Sequence, residues 1–307
     1  MDQIFKIGVA CLIVVLLSAA ALAAPADDLR LIDAVKNRDR AAARSLVEQH
    51  VNVNAAQADG TTALAWAANR DDLETADLLI RAGAKPNAAN DYGVTPLSLA
   101  CTNRSAPMIE RLLKAGADPN VAEWTGETPL MTCAQTGNVE AVKLLLSRGA
   151  DPNAKETQQG QTSLMRAVAA KHSEVGRALI DRGADVRARS KSGFTALLFA
   201  AQQGDVASAR ILLAAGADAN EGTPTNGTAL VVAAASGRED FEMFMLDSGA
   251  NPNAADVYGV TALHYAIPEG IAGIDSVSIV FRPYHEVPHN MSKLVKALLE
   301  HRANPNV

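Results

Sequence analysis

Aromatic residues are scarce in this chain: they make up 4% of its 307 residues, although 48% of the residues are hydrophobic. The apolar content is therefore mostly Ala, Leu and Val, a mixture that favours helices packed through small residues over a β-sandwich. Basic runs are missing as well, because no stretch of Lys or Arg exceeds two residues and the formal net charge is −6. The basic footprint of phosphate binding is absent, so we expect no nucleic-acid partner.

Catalytic signatures are also missing, apart from one segment with the spacing of a zinc site but not the helix that such a site needs. The segment HEVPH, His285 to His289, has the spacing of zinc peptidases, whose two His lie one turn apart on a helix. Pro288 falls inside that turn and Pro283 precedes it, and an interior proline costs about 3 kcal/mol in a helix. We therefore expect no catalytic zinc, no cofactor and no enzymatic activity. The alternatives are adventitious metal binding by the two His and a metal-dependent hydrolase.

The N-terminus has the pattern of an export signal. A weakly charged start is followed by an apolar stretch at 7–17 and by the small-residue cleavage motif Ala21-Leu22-Ala23. We expect a signal peptide at 1–23 and a short linker at 24–28. The alternative is an uncleaved anchor, the only way in which we expect the chain to contact a membrane.

A repeat of about thirty-three residues organises the rest of the chain. Thr-x-Leu recurs with threonine steps of 33, 33, 34, 33, 33 and 33, at Thr62, Thr95, Thr128, Thr162, Thr195, Thr228 and Thr261. A Gly-Ala pair follows the first six threonines after 21 residues, at Gly83, Gly116, Gly149, Gly183, Gly216 and Gly249. Such a fixed period is the mark of a repeat architecture.

Each repeat predicts two short helices and a turn. Threonine is a good N-cap, and the proline that follows it in two repeats suits a first helical turn. A second amphipathic helix ends at a glycine suited to positive φ, such as Gly149. A polar stretch closed by another glycine then predicts a hairpin-like turn; in the sixth of these, Asn226 stands in that glycine's place.

The segments DYGVTPLSLACTNRSAPMIERLLKAGADPNVAE and TGETPLMTCAQTGNVEAVKLLLSRGADPNAKE resemble ankyrin repeats. The resemblance covers 29–307 and implies an all-α repeat solenoid, in which stacked helix-turn-helix units are joined by β-hairpin-like loops. Residues 29–58 resemble a degenerate N-terminal repeat with His50 in the place of the glycine. Seven further repeats follow at 59–307.

The last repeat departs from the timing, since 41 residues separate Thr261 from Arg302, which stands in the glycine's place. An insertion at about 268–290 therefore separates its two helices, and HEVPH lies inside it. We also expect an open C-terminal end, as in a fragment or an array covered by something else. In that case Leu294, Leu298 and Leu299 would pack on one side only.

Individual residues can be interpreted within this frame. The His of the family's Thr-Pro-Leu-His motif survives only at His264, where we expect structural hydrogen bonding. Trp66, Arg166, Phe199 and Tyr265 share one position, and we expect them to pack between repeats. Cys101 and Cys133 are expected to be two buried thiols rather than a disulfide, because stacked helices lie about 8–10 Å apart whereas bridged Cα atoms rarely exceed about 7 Å.

The resemblance implies a non-enzymatic scaffold that binds a protein through its concave face of hairpin tips and first helices. The candidate contacts are Arg70, Asn90, Asp91, Tyr92, Asn103, Glu123, Trp124, Gln135, Lys191, Gln202 and Tyr258. The alternative for the aromatic tips is that they only cover neighbouring hairpins. Because ankyrin-type proteins of eukaryotes are usually intracellular, the export signal favours a bacterial source. We expect a periplasmic location, no small-molecule substrate, and as alternatives an extracellular location or a host-directed effector.

Overall fold

The computed structural model describes residues 29–267 and 292–306. The signal segment, the linker and the insertion with HEVPH lie outside the described residues, so the predictions about them stay predictions. The chain divides into two compact units, Met1–Lys85 and Pro86–Val307, which are described separately below.

Both units are built from pairs of short antiparallel helices. The first unit contains α1 Arg30–Lys36, α2 Arg40–Glu48, α3 Ala63–Asn69 and α4 Leu73–Arg81. The second contains α5 Pro96–Thr102, α6 Ala106–Lys114, α7 Pro129–Thr136, α8 Val139–Ser147, α9 Ser163–Ala169, α10 Ser173–Ile180, α11 Ala196–Gln203, α12 Val206–Ala214, α13 Ala229–Ala235, α14 Glu239–Asp247, α15 Ala262–Ala266 and α16 Ser292–Glu300. The only strands in the described part are β1 Gly222–Thr223 and β2 Gly227–Thr228, which pair antiparallel. The all-α repeat fold predicted from the sequence is thus confirmed.

The repeated threonines start the first helices, as predicted. Each has extended backbone before its helix, and four of them, Thr62, Thr95, Thr128 and Thr162, accept a hydrogen bond from the backbone N–H three residues later. At Thr95 the hydroxyl of Ser98 reciprocates by accepting from the Thr95 N–H at 3.0 Å. These bonds satisfy donors that every helix N-terminus leaves free.

The second helices end in left-handed backbone, as the glycines predicted. Gly149 has φ +86°, and His50 and Arg302, which stand where the other repeats have glycine, have φ +60° and +67°. Asn226 does not fulfil its prediction. The left-handed residue there is Gly227, with φ +71°, one position later than in the other hairpins. The turn itself has the usual length, since Gly222 pairs with Thr228 at the same spacing as Ala56 with Thr62.

The core consists mainly of small and aliphatic side chains. Ala100, Cys133, Ala167, Ala200 and Ala233 are each 0% exposed, so the first helices of the second unit meet through side chains of one or two heavy atoms. At the C-terminal side, α16 packs against α14 and α15. Leu294 and Leu298 are fully buried there and Leu299 is 47% exposed. The open C-terminal end stays a prediction.

The prediction of two free thiols was also wrong. Cys101 of α5 and Cys133 of α7 form a disulfide whose Cα atoms are 4.8 Å apart. The expectation compared the separation of helix axes with a separation of Cα atoms. Since each Cα lies about 2.3 Å from its own axis, facing Cα atoms approach several ångströms closer than the axes do.

No helix within the described ranges is long and apolar enough to cross a bilayer.

Candidate functional site

The hairpin tips of the second unit form a hydrogen-bonded row. The N–H of Trp124 donates to the carbonyl of Tyr92 at 3.0 Å, and the N–H of Thr157 donates to the carbonyl of Thr125 at 2.8 Å. Further along, the N–H of Lys191 donates to the carbonyl of Gln159 at 2.7 Å. Backbone bonds of this kind fix the position of each tip against the preceding one, so side chains on the row are held on a firm base.

Asn90 holds the turn that presents Asp91 and Tyr92. Its side-chain oxygen accepts from the N–H groups of Tyr92 at 3.0 Å and of Val94 at 2.9 Å, as asparagine does in tight turns. Gly93 closes the turn at φ +79°, and a Cβ on it would come within 2.8 Å of the Cα of Glu123 in the next hairpin. The predicted contact residue Asn90 therefore has a structural role that sequence reasoning missed.

Tyr92 and Trp124 form an exposed aromatic pair at two neighbouring tips. Their ring centroids are 6.3 Å apart at an interplanar angle of 65°, an edge-to-face arrangement. Tyr92 is 56% exposed and Trp124 is 74% exposed, the highest value among the exposed large hydrophobic residues of the described chain. With three quarters of its surface in solvent, Trp124 does not serve mainly to cover a neighbouring hairpin.

A polar cluster joins the repeat of Trp124 to the repeat that follows it. The Oε1 atom of Glu127 accepts from Thr132 Oγ1 at 3.1 Å and from Arg166 Nη1 at 3.2 Å. Arg166 also donates to the predicted contact residue Gln135, at 2.8 Å. Burial raises the pKa of the nearby Glu123, and the charge of Glu127 raises it further. A cation placed beside Glu123 would therefore be attracted to a carboxylate that is poorly compensated by its surroundings.

Charge is unevenly distributed along the row of hairpins. The hairpins at 86–95 and 118–128, which we call the acidic hairpins, contain four carboxylates, Asp91, Asp118, Glu123 and Glu127, and Lys85 directly precedes the first of them. The hairpin at 185–195 contains three cationic side chains, Arg187, Arg189 and Lys191, beside a single carboxylate. Those three donate to carbonyl or carboxylate oxygens of neighbouring repeats. The aromatic pair thus lies in the acidic part of the row.

The remaining predicted contacts are distributed over both units. Arg70 belongs to the first unit, where it ends α3 and its guanidinium lies 5.8 Å from the centroid of Trp66. In the second unit Asn103 and Gln202 are exposed at the ends of α5 and α11. Tyr258 is 53% exposed at the last hairpin tip, beside Val257 at 58%. The structure therefore brings Tyr92, Trp124 and Glu123 together and leaves these residues at separate places.

The four residues expected to pack between repeats differ in their contacts. The Nε1 atom of Trp66 donates to Gln57 at 2.9 Å, and the ammonium of Lys36 lies 4.9 Å from its centroid. Arg166 reaches the preceding repeat through Glu127. Phe199 contacts Phe194 and Tyr265 donates to Asp256, both within their own repeats. Packing of these two side chains between repeats stays a prediction.

His264 has a structural hydrogen bond, as expected. Its Nδ1 lies 3.2 Å from the N–H of Thr261 and 2.9 Å from its hydroxyl, so it caps α15 within its own repeat. In the described part of the chain, no group of three or more His, Cys, Asp or Glu side chains could hold a metal ion. HEVPH lies outside that part.

Comparison with known proteins agrees with this geometry. The family model described as ankyrin repeats, in three copies, matches residues 31–123, 106–190, 155–223 and 197–307. Among solved structures, the ankyrin repeat domain of Bcl-3, a member of the IkappaB family, is 31% identical with a TM-score of 0.59. The match covers 67% of this chain and 93% of that one. No curated protein matches the sequence. The repeat, the helix pairs and the family match together show that this chain belongs to the ankyrin repeat family.

Proposed function

We propose that this chain is an exported, non-enzymatic scaffold that binds a protein partner through the aromatic pair and its acidic hairpins. The single observation that carries the proposal is the pairing of Tyr92 with Trp124, exposed and held by a backbone hydrogen bond between adjacent repeats. Exposed Trp and Tyr on a rigid base are the usual anchors of protein interfaces, because they bury much area with little loss of side-chain freedom.

The charge of the surface supports a partner segment with cationic side chains. Arg or Lys beside an aromatic face gains a cation–π attraction of about 0.5–1 kcal/mol at exposed sites. The carboxylates of Asp91 and Glu123 flank Tyr92 and Trp124 in sequence and carry the complementary charge. An acidic partner would meet the carboxylates of Asp91 and Glu123 beside the two rings, which disfavours it.

Site-specific photo-crosslinking in the native compartment tests the proposal. A photoreactive residue replaces Trp124 in one variant and Met243 in the control, since Met243 is also an exposed large hydrophobic residue, 37% exposed, but lies on the second helix α14. We expect a specific protein adduct at position 124, with Arg or Lys near the captured peptide, and none at 243. Equal capture at both positions, or none at 124, would refute the proposed surface.

Export rests on the sequence pattern of residues 1–23 and has its own test. N-terminal sequencing of the protein from its native compartment should begin close to Ala24. A membrane-bound product that retains Met1 would show an uncleaved anchor instead. A host-directed effector would have the same sequence pattern, so fractionation of the medium against the periplasm separates these two versions of the proposal.

A further inference from the structure

We propose that the Cys101–Cys133 disulfide is a covalent clamp that holds the Tyr92–Trp124 pair in place, so that the binding surface is complete only in the oxidised chain. That this surface binds a partner rests on the proposed function, but the clamp itself can be tested without a partner. It assigns a function to a cross-link between two consecutive repeats.

The position of the two cysteines is the first observation. The chain has three cysteines, and the two that follow the predicted signal peptide occupy facing positions in the core. Equivalent positions of later repeats pair Ala134 with Ala167 and Ala201 with Ala233. Cysteine therefore replaces a small apolar residue on both sides of one junction, where a bond between the two sulfur atoms can form.

The junction carrying the cross-link is also the junction carrying the aromatic pair. Tyr92 lies three residues before Thr95, which caps α5, and Trp124 lies four residues before Thr128, which caps α7. The disulfide joins α5 to α7. Any sliding or separation of these two helices would move both hairpin bases, so fixing the helices also fixes the distance between the two rings.

Complete burial makes the cross-link a lasting clamp rather than a reversible switch. Both cysteines are 0% exposed. Thiol–disulfide exchange requires a thiolate to reach one of the sulfur atoms, which is blocked in the folded stack. Reduction should therefore wait for local unfolding of the junction.

Formation of the clamp requires a disulfide-bearing oxidant, such as an oxidoreductase or oxidised glutathione. Each cysteine gives up one proton and one electron, and the two sulfur atoms form one bond. The disulfide of the oxidant breaks, takes up both electrons and both protons, and becomes two thiols. Such oxidants act in oxidising compartments, which agrees with the proposed export.

The first measurement is peptide mapping of the full chain after alkylation with N-ethylmaleimide in denaturant, without reductant. We expect a linked peptide pair containing Cys101 and Cys133. The control is the same digest after reduction in urea, in which both cysteines should be alkylated. In native buffer, dithiothreitol should leave the pair linked, and in urea it should open it. Alkylation of both cysteines in untreated protein would overturn the proposal, and rapid reduction in native buffer would overturn the clamp as a lasting one.

The second measurement follows the aromatic pair directly. In a Trp66→Phe background, Trp124 is the one remaining tryptophan of the two in the sequence. Cys101→Ala with Cys133→Ala is compared with the chain that keeps both cysteines. Alanine is chosen because most equivalent core positions hold it, among them Ala134 and Ala167. We expect the Trp124 indole NMR signal to shift and the nuclear Overhauser contacts between its ring and Tyr92 to weaken. The melting temperature should also fall by roughly 5–10 °C.

Unchanged ring contacts in a folded double-alanine variant would refute the clamp. If that variant does not fold, the same ring contacts are compared between the oxidised and the reduced wild-type chain. These readouts report ring geometry alone. Failure of the proposed function would appear instead as absent crosslinking at position 124 in a chain whose clamp is intact.

Discussion

Glu242 of α14 provides the sharpest prediction of stability, because it is a buried acid without a partner. It is 0% exposed, and neither carboxylate oxygen has a hydrogen-bond partner within the described residues. The equivalent positions of α8, α10 and α12 hold Val142, Gly176 and Ala209. An acid thus stands where the other repeats place an apolar residue or glycine in the core.

The cost of this acid depends on pH. Burial, with a further contribution from Glu239, raises the pKa of Glu242 from 4.5 to about 8. The folded chain therefore holds its proton more tightly than the unfolded chain, and stability falls as pH rises from about 4.5 to about 8 and levels off above that. At pH 7 the difference of about 2.5 pH units from the unfolded pKa corresponds to about 3 kcal/mol at 1.36 kcal/mol per unit.

Glu242→Gln removes this penalty while keeping the shape of the side chain. Urea unfolding of the variant and the wild type between pH 4.5 and pH 8 should show a gain of about 3 kcal/mol at pH 7 that vanishes near pH 4.5. Glu140→Gln, on an exposed face of α8, is the matched control and should change stability by under about 0.5 kcal/mol. A gain for Glu242→Gln that is small, or equal at both ends of the pH range, would refute the reasoning.

Three further outcomes follow from other contacts. Trp66→Ala should lower the free energy of unfolding by about 2 kcal/mol or more in urea, because it removes a half-buried ring that Gln57 and Lys36 contact; no loss would contradict its packing role. Burial acts to raise the pKa of Asp72, but hydrogen bonds from Arg40 and Thr75 hold that pKa below its usual value. Asp72→Ala should therefore cost about 1–2 kcal/mol in urea melts at pH 7, and less as pH falls through that lowered pKa; an equal cost at acidic pH would count against it. His285→Ala with His289→Ala should leave melting temperature and zinc content unchanged; a lost stoichiometric zinc would overturn the expectation.

The fold could be predicted from the sequence because the same helix-start and helix-end signals recur from repeat to repeat. Threonine before an Ala-rich segment caps a helix, and glycine after an amphipathic segment ends one, so seven copies of a weak signal become a strong one. His50 and Arg302 have left-handed backbone although they are not glycine. Their place in the repeat predicts this conformation, because the equivalent residue of the other repeats is a glycine that ends the second helix. The left-handed position in the hairpin before Thr228 was predicted one residue too early, at Asn226, because the period gives the length of a hairpin but not which of two neighbouring residues takes positive φ.

Side-chain pairing was harder to predict than backbone. The disulfide depends on which of two adjacent positions on α5 faces α7, and spacing along the chain does not give that angle. Asn90 was predicted as a contact residue, but its side-chain oxygen accepts hydrogen bonds within its own turn. The link from Glu127 to Arg166 crosses 39 residues, so only the stacked structure places them together. The pairing of Tyr92 with Trp124 could be predicted, because the period puts equivalent tips of adjacent repeats side by side.

The central claim is that the aromatic pair anchors a protein partner, and one comparison of affinities tests it most directly. The partner captured at position 124 is titrated against the wild type, Trp124→Ala and the control Met243→Ala, with a melting curve for each. We predict that Trp124→Ala weakens binding by roughly 30-fold to 1,000-fold, the equivalent of about 2–4 kcal/mol, at an unchanged melting temperature. Met243→Ala should bind as the wild type does. An affinity of Trp124→Ala within about twofold of the wild type, or a loss that accompanies unfolding, would contradict the account.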